Sequence, residues 1–158
     1  MTIPNAIGIT RVPRIVSFLN PLMRRLLRVG LPLGPNVLLT VRGRTSGRLR
    51  TAPVALLHYQ GRRYVQSVYA EVNWVRNLRA AGEAVVTRAG RQEEVIATEL
   101  KPEEAGPILR DALSPFLKTP VLGAILRRYF AVGADATLED FIAEARRRHP
   151  TFELRRKS

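Results

Sequence analysis

The stretch NVLLTVRGRTSGRLRTAPVALLHY, residues 36 to 59, joins two apolar runs through a short turn that is rich in arginine. Both runs, 36–44 and 51–59, combine β-branched and aliphatic residues, which favours strands. Ser46-Gly47 between them is typical of a tight hairpin, because Gly47 can adopt a positive φ without steric cost. The stretch therefore predicts a β-hairpin from which the rest of the fold can be worked out.

Four arginines, at positions 42, 44, 48 and 50, crowd around this turn. Alternation along a strand would place Arg42 and Arg44 on one face, and likewise Arg48 and Arg50. Like charges at this spacing repel each other unless salt or a bound anion screens them. The turn is therefore either a solvated tip or a cradle for a polyanion, and composition alone leaves both interpretations open.

The chain beyond this hairpin continues the strand pattern, with one helix inserted. Gln60-Gly61 and Ala89-Gly90 are predicted as tight turns, and Asn73 is a candidate N-cap for the helix. Strands that follow one another through short turns indicate an antiparallel sheet or a small barrel. The predicted strands cover 36–44, 51–59, 62–69, 83–88 and 92–100, and the predicted helix covers 73–82.

The last third of the chain is predicted to be mainly helical. Helical segments begin near Lys101, Thr119 and Thr137, and Thr137 and Asp140 stand at the spacing of a capping box. Residues 151–155 are predicted as one closing strand. No internal repeat or linker interrupts the sequence, so we expect a single α+β domain over residues 1–158.

The N-terminal arm, residues 1–30, contains an amphipathic pattern at 13–30, with apolar residues at helical spacing and arginines opposite them. This pattern predicts either a helix packed on the core or a helix lying on an anionic membrane. We therefore expect three parts in the domain: the arm, a core over 36–100, and a mainly helical part over 101–158.

The composition is strongly basic, with 26 Lys+Arg against 13 Asp+Glu and a formal net charge of +13. Arginine binds phosphate and carboxylate bidentately, so the partners favoured are a phosphorylated cofactor, an anionic membrane face or nucleic acid. Nucleic acid is the least favoured, because no helix-turn-helix is recognisable and aromatic residues make up only 6%.

The lack of cysteine excludes disulfides, thiolate metal ligands and cysteine nucleophiles. His58 and His149 are far apart, which does not favour a zinc site, and no metal is expected. The N-terminus does not have the pattern of a signal peptide, and no run is long enough for a spanning helix, so we expect a cytoplasmic protein.

Two sequence blocks resemble the deazaflavin-dependent nitroreductase family. The arginine-rich hairpin is similar to the family's glycine–basic–basic–Ser–Gly–x–x–Arg–x–x–Pro hairpin, and Trp74-Val75-Arg76-Asn77-Leu78 is similar to its Trp-x-x-Asn-Leu helix. The blocks have the family's order and separation, and the resemblance covers roughly residues 36–100. Members are split-β-barrel oxidoreductases of actinobacteria, related to flavin-binding pyridoxamine-oxidase-like proteins, so the resemblance implies this fold.

The resemblance also implies the cofactor: coenzyme F420, an 8-hydroxy-5-deazaflavin with a ribityl phosphate and an oligoglutamate tail, with FMN as the alternative. The arginine-rich turn would bind its anionic groups, while the second strand, the end of the third strand and the Trp74 helix would surround its ring. Many members have lysine where this chain has Thr45. By position in the motifs, the implied cofactor-binding residues are Arg44, Thr45, Ser46, Gly47, Arg48, Arg50, Thr51, Pro53, Val54, Ser67, Val68, Tyr69, Asn73, Trp74 and Asn77.

The function implied is hydride transfer from F420H2 to a small lipophilic acceptor such as a quinone, an enone or a nitro compound. Tyr69 and Tyr129 are the candidate catalytic residues, as hydrogen-bond donors to the acceptor oxygen. The alternative is a non-catalytic protein of the same fold that binds a fatty acid, another lipid or a cofactor. Association of residues 13–30 with the inner face of an anionic membrane and assembly into a homodimer are further expectations.

Overall fold

The structure is a computed structural model, and it describes residues 21–22, 24–25, 36–68 and 71–158. Most of the predicted arm helix at 13–30 lies outside these residues, although positions 21, 22, 24 and 25 have helical backbone. The described strands are β1 (Asn36–Arg42), β2 (Leu49–Tyr59), β3 (Arg62–Gln66), β4 (Glu83–Arg88), β5 (Arg91–Glu99) and β6 (Thr151–Arg156). The described helices are α1 (Asn73–Ala81), α2 (Pro102–Leu117), α3 (Pro120–Tyr129) and α4 (Leu138–Arg148).

The six described strands close into one antiparallel barrel in the order β1-β2-β3-β6-β5-β4, with β4 returning to pair with β1. The last strand, β6, completes the barrel because it pairs with β3 on one side and with β5 on the other. The predicted α+β class, the small barrel and the closing strand at 151–155 are confirmed.

Two tight turns set the register of the hairpins. Gln60 and Gly61 have φ values of 48° and 73°, and Ala89 and Gly90 have φ values of 49° and 75°. Two consecutive positive φ angles are typical of the type I′ turn, whose twist matches that of the strands it connects. Both turns were predicted from the sequence and are confirmed.

The barrel core is built from alternating side chains that point inward. Val37, Leu39 and Val41 supply the buried face of β1, and Val54 lies opposite Val37 on β2. Phe152 on β6 is almost fully buried in the same cluster. A strand with one buried face has a fixed register, since a slip by one residue would turn these side chains outward.

A second cluster lies between the helices, where α2 packs against α4 and α3 against α2. The capping box predicted at the start of α4 is confirmed, since Thr137 Oγ1 accepts from the Asp140 N–H and the Asp140 carboxylate accepts from the Thr137 N–H. The predicted N-cap at Asn73 is wrong. The helix α1 is capped by Val72 without a side-chain hydrogen bond, and Asn73 is its first helical residue.

We predict that Phe152→Ala lowers the free energy of unfolding by about 3–5 kcal/mol, because it leaves a cavity where β6 joins the barrel core. Arg155→Ala on the same strand is the control, since Arg155 is exposed, and its effect is expected to stay within about 0.5 kcal/mol. Urea denaturation measures both. Equal stability of the two variants would contradict the assignment of β6 to the core.

Candidate active site at the arginine loop

The arginine loop, residues 43–48, connects β1 to β2 and is closed by its own backbone. The Gly43 N–H donates to Arg48 O at 2.8 Å, and the Gly47 N–H donates to Gly43 O at 2.9 Å. Gly47 has a φ of 68°, as the predicted turn requires. The loop is therefore a compact turn rather than an extended tip.

The prediction that alternation along the strands places Arg42 and Arg44 on one face, and Arg48 and Arg50 on one face, is wrong in part. The strands end at Arg42 and begin again at Leu49, so Arg44 and Arg48 belong to the loop and have no strand face. The reason is the two backbone bonds that close the loop, which take these residues out of the β1–β2 ladder. Only Arg42 and Arg50 are strand residues.

Two of the arginines hold the loop in place. Arg42 Nη1 donates to Gly47 O at 2.9 Å, across the base of the turn. The Arg44 N–H donates to Asn77 Oδ1 at 3.2 Å, and Arg44 Nη1 donates to the same oxygen at 2.8 Å. The two sequence blocks that carry the family resemblance are therefore joined by direct hydrogen bonds.

Asn77 can act as a fixed acceptor because α1 is set firmly into the barrel. Its neighbours Val75 and Leu78 are fully buried in the barrel core, and Asn77 itself is buried. On the outer side of α1, Arg79 forms paired hydrogen bonds with Glu71 and with Glu99 of β5. Asn77 therefore braces the loop, and contact with a cofactor stays a prediction for this residue.

The other two arginines, Arg48 and Arg50, are exposed, and within the described part of the chain neither forms a side-chain hydrogen bond or an ion pair. The charge of Arg42 helps to lower the pKa of the Glu83 carboxyl, but a hydrogen bond from Lys157 is the main cause of that shift. The cluster is thus not neutralised by an acidic side chain among the described residues. Coulomb repulsion between close guanidinium groups makes it a favourable place for an anion.

The backbone of the loop adds donors. The Gly43, Arg44 and Gly47 amides already donate inside the protein, and the Arg48 N–H donates to Ser46 Oγ at 3.3 Å, so four of the loop amides are occupied. The N–H groups of Thr45 and Ser46 donate to no group in the described structure and lie at the exposed tip. Successive free N–H groups in a turn are a common way of binding an oxyanion.

Next to the loop, the N-terminal half of β2 has an open edge. Residues Asn36–Arg42 of β1 pair with residues 49–55 of β2, whereas β3 pairs only with residues 56–59. Among the described residues no strand pairs with the other edge of 49–55. Arg50 lies opposite Val41, whose side chain is in the core, so the Arg50 side chain leaves β2 on the inner face at the mouth of the barrel.

The remaining β2 residues of the predicted site differ in exposure. Thr51 is half-buried, and its hydroxyl forms a 2.9 Å hydrogen bond with that of Thr40, while its carbonyl accepts from Arg24 at 3.5 Å. Pro53 is half-buried, and Val54 is buried in the barrel core. Val54 therefore supports this edge from inside the barrel.

The residues predicted outside β2 are more dispersed. Ser67 is buried and Val68 is exposed directly after β3, while Tyr69 lies outside the described residues. Trp74 is half-buried against the core, with its ring 6.3 Å from that of Phe152. Tyr129 packs against the helical cluster.

A buried polar network, which the sequence analysis missed, fixes Ser67. His149 Nδ1 lies 2.8 Å from Ser67 O, and His149 Nε2 lies 3.0 Å from Glu144 Oε1. The Ser67 N–H donates to Pro150 O at 3.0 Å. The chain leaving β3 is thus held by α4 and by the residues before β6.

The hydrogen bonds of this network act on the Glu144 carboxyl. Burial raises the pKa of Glu144, but hydrogen bonds from His149 and from the Ala131 backbone outweigh it, and the net pKa lies below the usual value. The Ser67 carbonyl can only accept, so His149 Nδ1 donates to it, and His149 Nε2 lies beside the Glu144 carboxylate. The Phe130 ring lies 4.3 Å from the imidazole and covers it.

A polar depression of about 350 Å³ lies at the other end of β2, lined by residues of the β2–β3 turn, β3 and β6. Two of its three arginines are already paired, Arg62 with Glu153 and Arg63 with Glu93, and the third, Arg155, is exposed. None of the residues predicted from the sequence lines it. We therefore place the candidate site at the arginine loop and not in this depression.

The family model of the F420H(2)-dependent quinone reductases matches residues 24–115, more than half of the chain. A search of curated proteins found no match.

Several solved structures are similar to this chain in fold. HutZ, the haem storage protein of Vibrio cholerae, is similar with a TM-score of 0.52 and 13% identity over 89% of this chain and 91% of that one. The F420-H2 dependent reductase FDR-A has a TM-score of 0.46 and 20% identity over 77% of this chain and 94% of that one. At this level of identity HutZ bears on the fold alone, which is that of the split barrel.

We predict that Asn77→Ala releases the arginine loop, because Arg44 loses the acceptor of both its hydrogen bonds. Amide hydrogen exchange should show faster exchange at Arg44, while Asn77→Asp, which keeps an oxygen at this position, should stay near the wild-type rate. The exposed Asn73→Ala on the same helix is the control. Unchanged exchange at Arg44 in Asn77→Ala would contradict the brace.

We predict that Glu144→Gln lowers the free energy of unfolding at pH 7 by roughly 1–3 kcal/mol, because a charged partner of His149 is replaced by a neutral amide. The lowered pKa of Glu144 means that its contribution is present at neutral pH and is lost as the pH falls below 4.5 through the folded value. Chemical denaturation at pH 7 and pH 3.5 should therefore show the difference between variant and wild type shrinking in acid. Exposed Glu139→Gln is the control, and a difference independent of pH would contradict an ionised Glu144 in the folded protein.

Proposed function

We propose that this chain, which belongs to the F420H(2)-dependent quinone reductase family, binds reduced coenzyme F420 at the arginine loop and passes a hydride to a lipophilic acceptor. The matched residues, 24–115, include the loop, β2 and α1. The observation that carries the proposal is the pair Arg48 and Arg50, two exposed guanidinium groups with no acidic partner among the described residues, beside the open edge of β2.

The donors at this site fit a polyanionic cofactor. F420 carries a phosphate and a tail of carboxylates, and guanidinium groups bind both bidentately. Arg44 is engaged with Asn77, and Thr45 offers a hydroxyl where many members of the family have lysine. Arg48 and Arg50 are therefore left to supply most of the charge, with the N–H groups of Thr45 and Ser46 as additional donors.

When bound, the reduced deazaflavin supplies the hydride. The role of the protein is to hold the ring and the acceptor near contact distance and to keep water away from them. The open edge of β2 is backed by Val54 in the barrel core, and the neighbouring Ser67 carbonyl is fixed by His149, so both are set by buried contacts. Tyr69 and Tyr129 remain our proposed donors of a hydrogen bond to the acceptor oxygen.

For the acceptor we propose a quinone, in keeping with the family, with enones and nitro compounds as chemically similar substrates. Each is electron-poor and carries an oxygen that gains negative charge when hydride arrives. A hydrogen bond to that oxygen stabilises the developing charge. We propose a cytoplasmic location, at the inner face of the membrane where lipophilic quinones are found.

The test is a fluorescence titration of the purified protein with F420, F420H2 and FMN. We predict saturable binding of F420 that weakens about tenfold to a hundredfold in Arg50→Ala, because one charge-assisted bidentate contact is lost. Arg88→Ala is the control, since this exposed arginine lies at the far end of the barrel from the loop. The double variant Arg48→Ala/Arg50→Ala should also show a shallower dependence on salt.

Anaerobic mixing of the F420H2 complex with a short-chain naphthoquinone, followed at the deazaflavin absorbance band, tests turnover. Saturable FMN binding without F420 binding would show the cofactor to be wrong. F420 binding without oxidation by a quinone, an enone or a nitroaromatic compound would favour a non-catalytic cofactor-binding protein.

A further inference from the structure

The turn between α2 and α3 exposes a group of large apolar side chains. Of the nine large apolar residues that are exposed among the described part of the chain, four lie within residues 116–125, and Val121 is 74% exposed. Single exposed apolar residues are ordinary, but a contiguous group marks an interaction surface. We call this group with its flanking cations the α2–α3 ridge: Phe116, Lys118, Val121, Leu122, Ile125 and Arg128.

The ridge is exposed because of how α3 is seated. Gly123 is the buried residue of α3, and a Cβ there would come within 2.5 Å of the Leu117 carbonyl oxygen. Arg127 Nη1 also donates to Leu117 O at 3.3 Å. The helix thus lies directly on the backbone at the end of α2 and packs mainly against that helix, so it cannot roll to bury its outer side.

The exposed side of α3 carries apolar and basic side chains next to each other. Val121, Ile125 and Arg128 follow one another at positions i, i+4 and i+7, so they share one face of the helix. Lys118 stands at the turn next to exposed Phe116. Long basic side chains beside apolar ones are typical of a surface that lies in a membrane interface, because the charged ends reach the lipid headgroups.

The charge of the ridge decides between the candidate occupants. Residues 112–134 contain no Asp or Glu, and they carry Lys118, Arg127 and Arg128. A second copy of the chain would bring a formal charge of +13 against +13 and would set these cations against their equivalents. An anionic lipid surface offers the opposite charge together with an apolar interior, and each cation close to it contributes about 1 kcal/mol.

From this we infer that the α2–α3 ridge binds an anionic lipid membrane, with Val121, Leu122 and Ile125 in the acyl boundary. Among the described residues no helix is long and apolar enough to cross a membrane. The inference does not depend on the proposed hydride transfer, because it needs neither cofactor nor acceptor. It places the contact in a part of the chain other than the predicted arm at 13–30.

The experiment uses a property of the sequence: the full chain has no cysteine, so Val121→Cys provides one labelling site. With an environment-sensitive fluorophore at this position, we expect a blue shift with vesicles containing about 30 mol% phosphatidylglycerol in phosphatidylcholine and none with phosphatidylcholine alone. Ile96→Cys carries the control label, because Ile96 is an exposed apolar residue on the barrel.

Flotation of unlabelled protein gives the second measurement. Val121→Ser/Ile125→Ser should lower the partition into anionic vesicles by about tenfold or more, whereas Ile96→Ser should not change it. Both substitutions are at exposed positions, and circular dichroism is the check that the variants are folded. Flotation with no shift of the Val121 label, flotation unchanged by the double variant, or a dimer that the double variant dissociates would each overturn the inference.

Discussion

The amide oxygen of Asn77 accepts two hydrogen bonds from Arg44, and the shape of the candidate site depends on them. The four nearby guanidinium groups repel one another, because no acidic side chain neutralises them among the described residues. Val75 and Leu78 on either side of Asn77 are buried in the barrel, so the acceptor is immobile. The buried contacts of α1 thus hold the charged groups of the arginine loop in a fixed arrangement at the surface.

The large positive charge of the chain has several distinct uses. Part of it is structural: Arg79 joins α1 to β5 through Glu99, and Arg63 joins β3 to Glu93 of β5. Part of it has no acidic partner in the described structure, at the arginine loop, at the α2–α3 ridge and at other exposed positions such as Arg88 and Arg91. At the arginine loop, Arg48 and Arg50 stand two positions apart beside the open edge of β2, and this proximity makes an anionic partner there a better explanation than general solubility.

The sequence predicts best those features that short segments decide for themselves. The Ala89-Gly90 turn and the capping box of α4 need only residues a few positions apart, and both are present. The cap at Asn73 was wrong because the barrel determines where α1 begins, and it begins one residue earlier than the side chain suggested. The His149 contact with Ser67 had no local signal, since the two residues are brought together only when β6 enters the barrel.

The last third of the chain helps to build the site, although the family match ends at residue 115. The strand β6 fills the place between β3 and β5, and His149 just before it fixes the Ser67 carbonyl. The arginine loop is instead held by Asn77, within the matched residues. In the proposed enzyme, Asn77 thus fixes the loop that would bind the anionic tail. The strand β6 and His149 fix the end of β3 that would lie beside the ring. A substitution in α4 or β6 is therefore expected to change the Ser67 end of β3 while leaving the Asn77 contacts of the arginine loop intact.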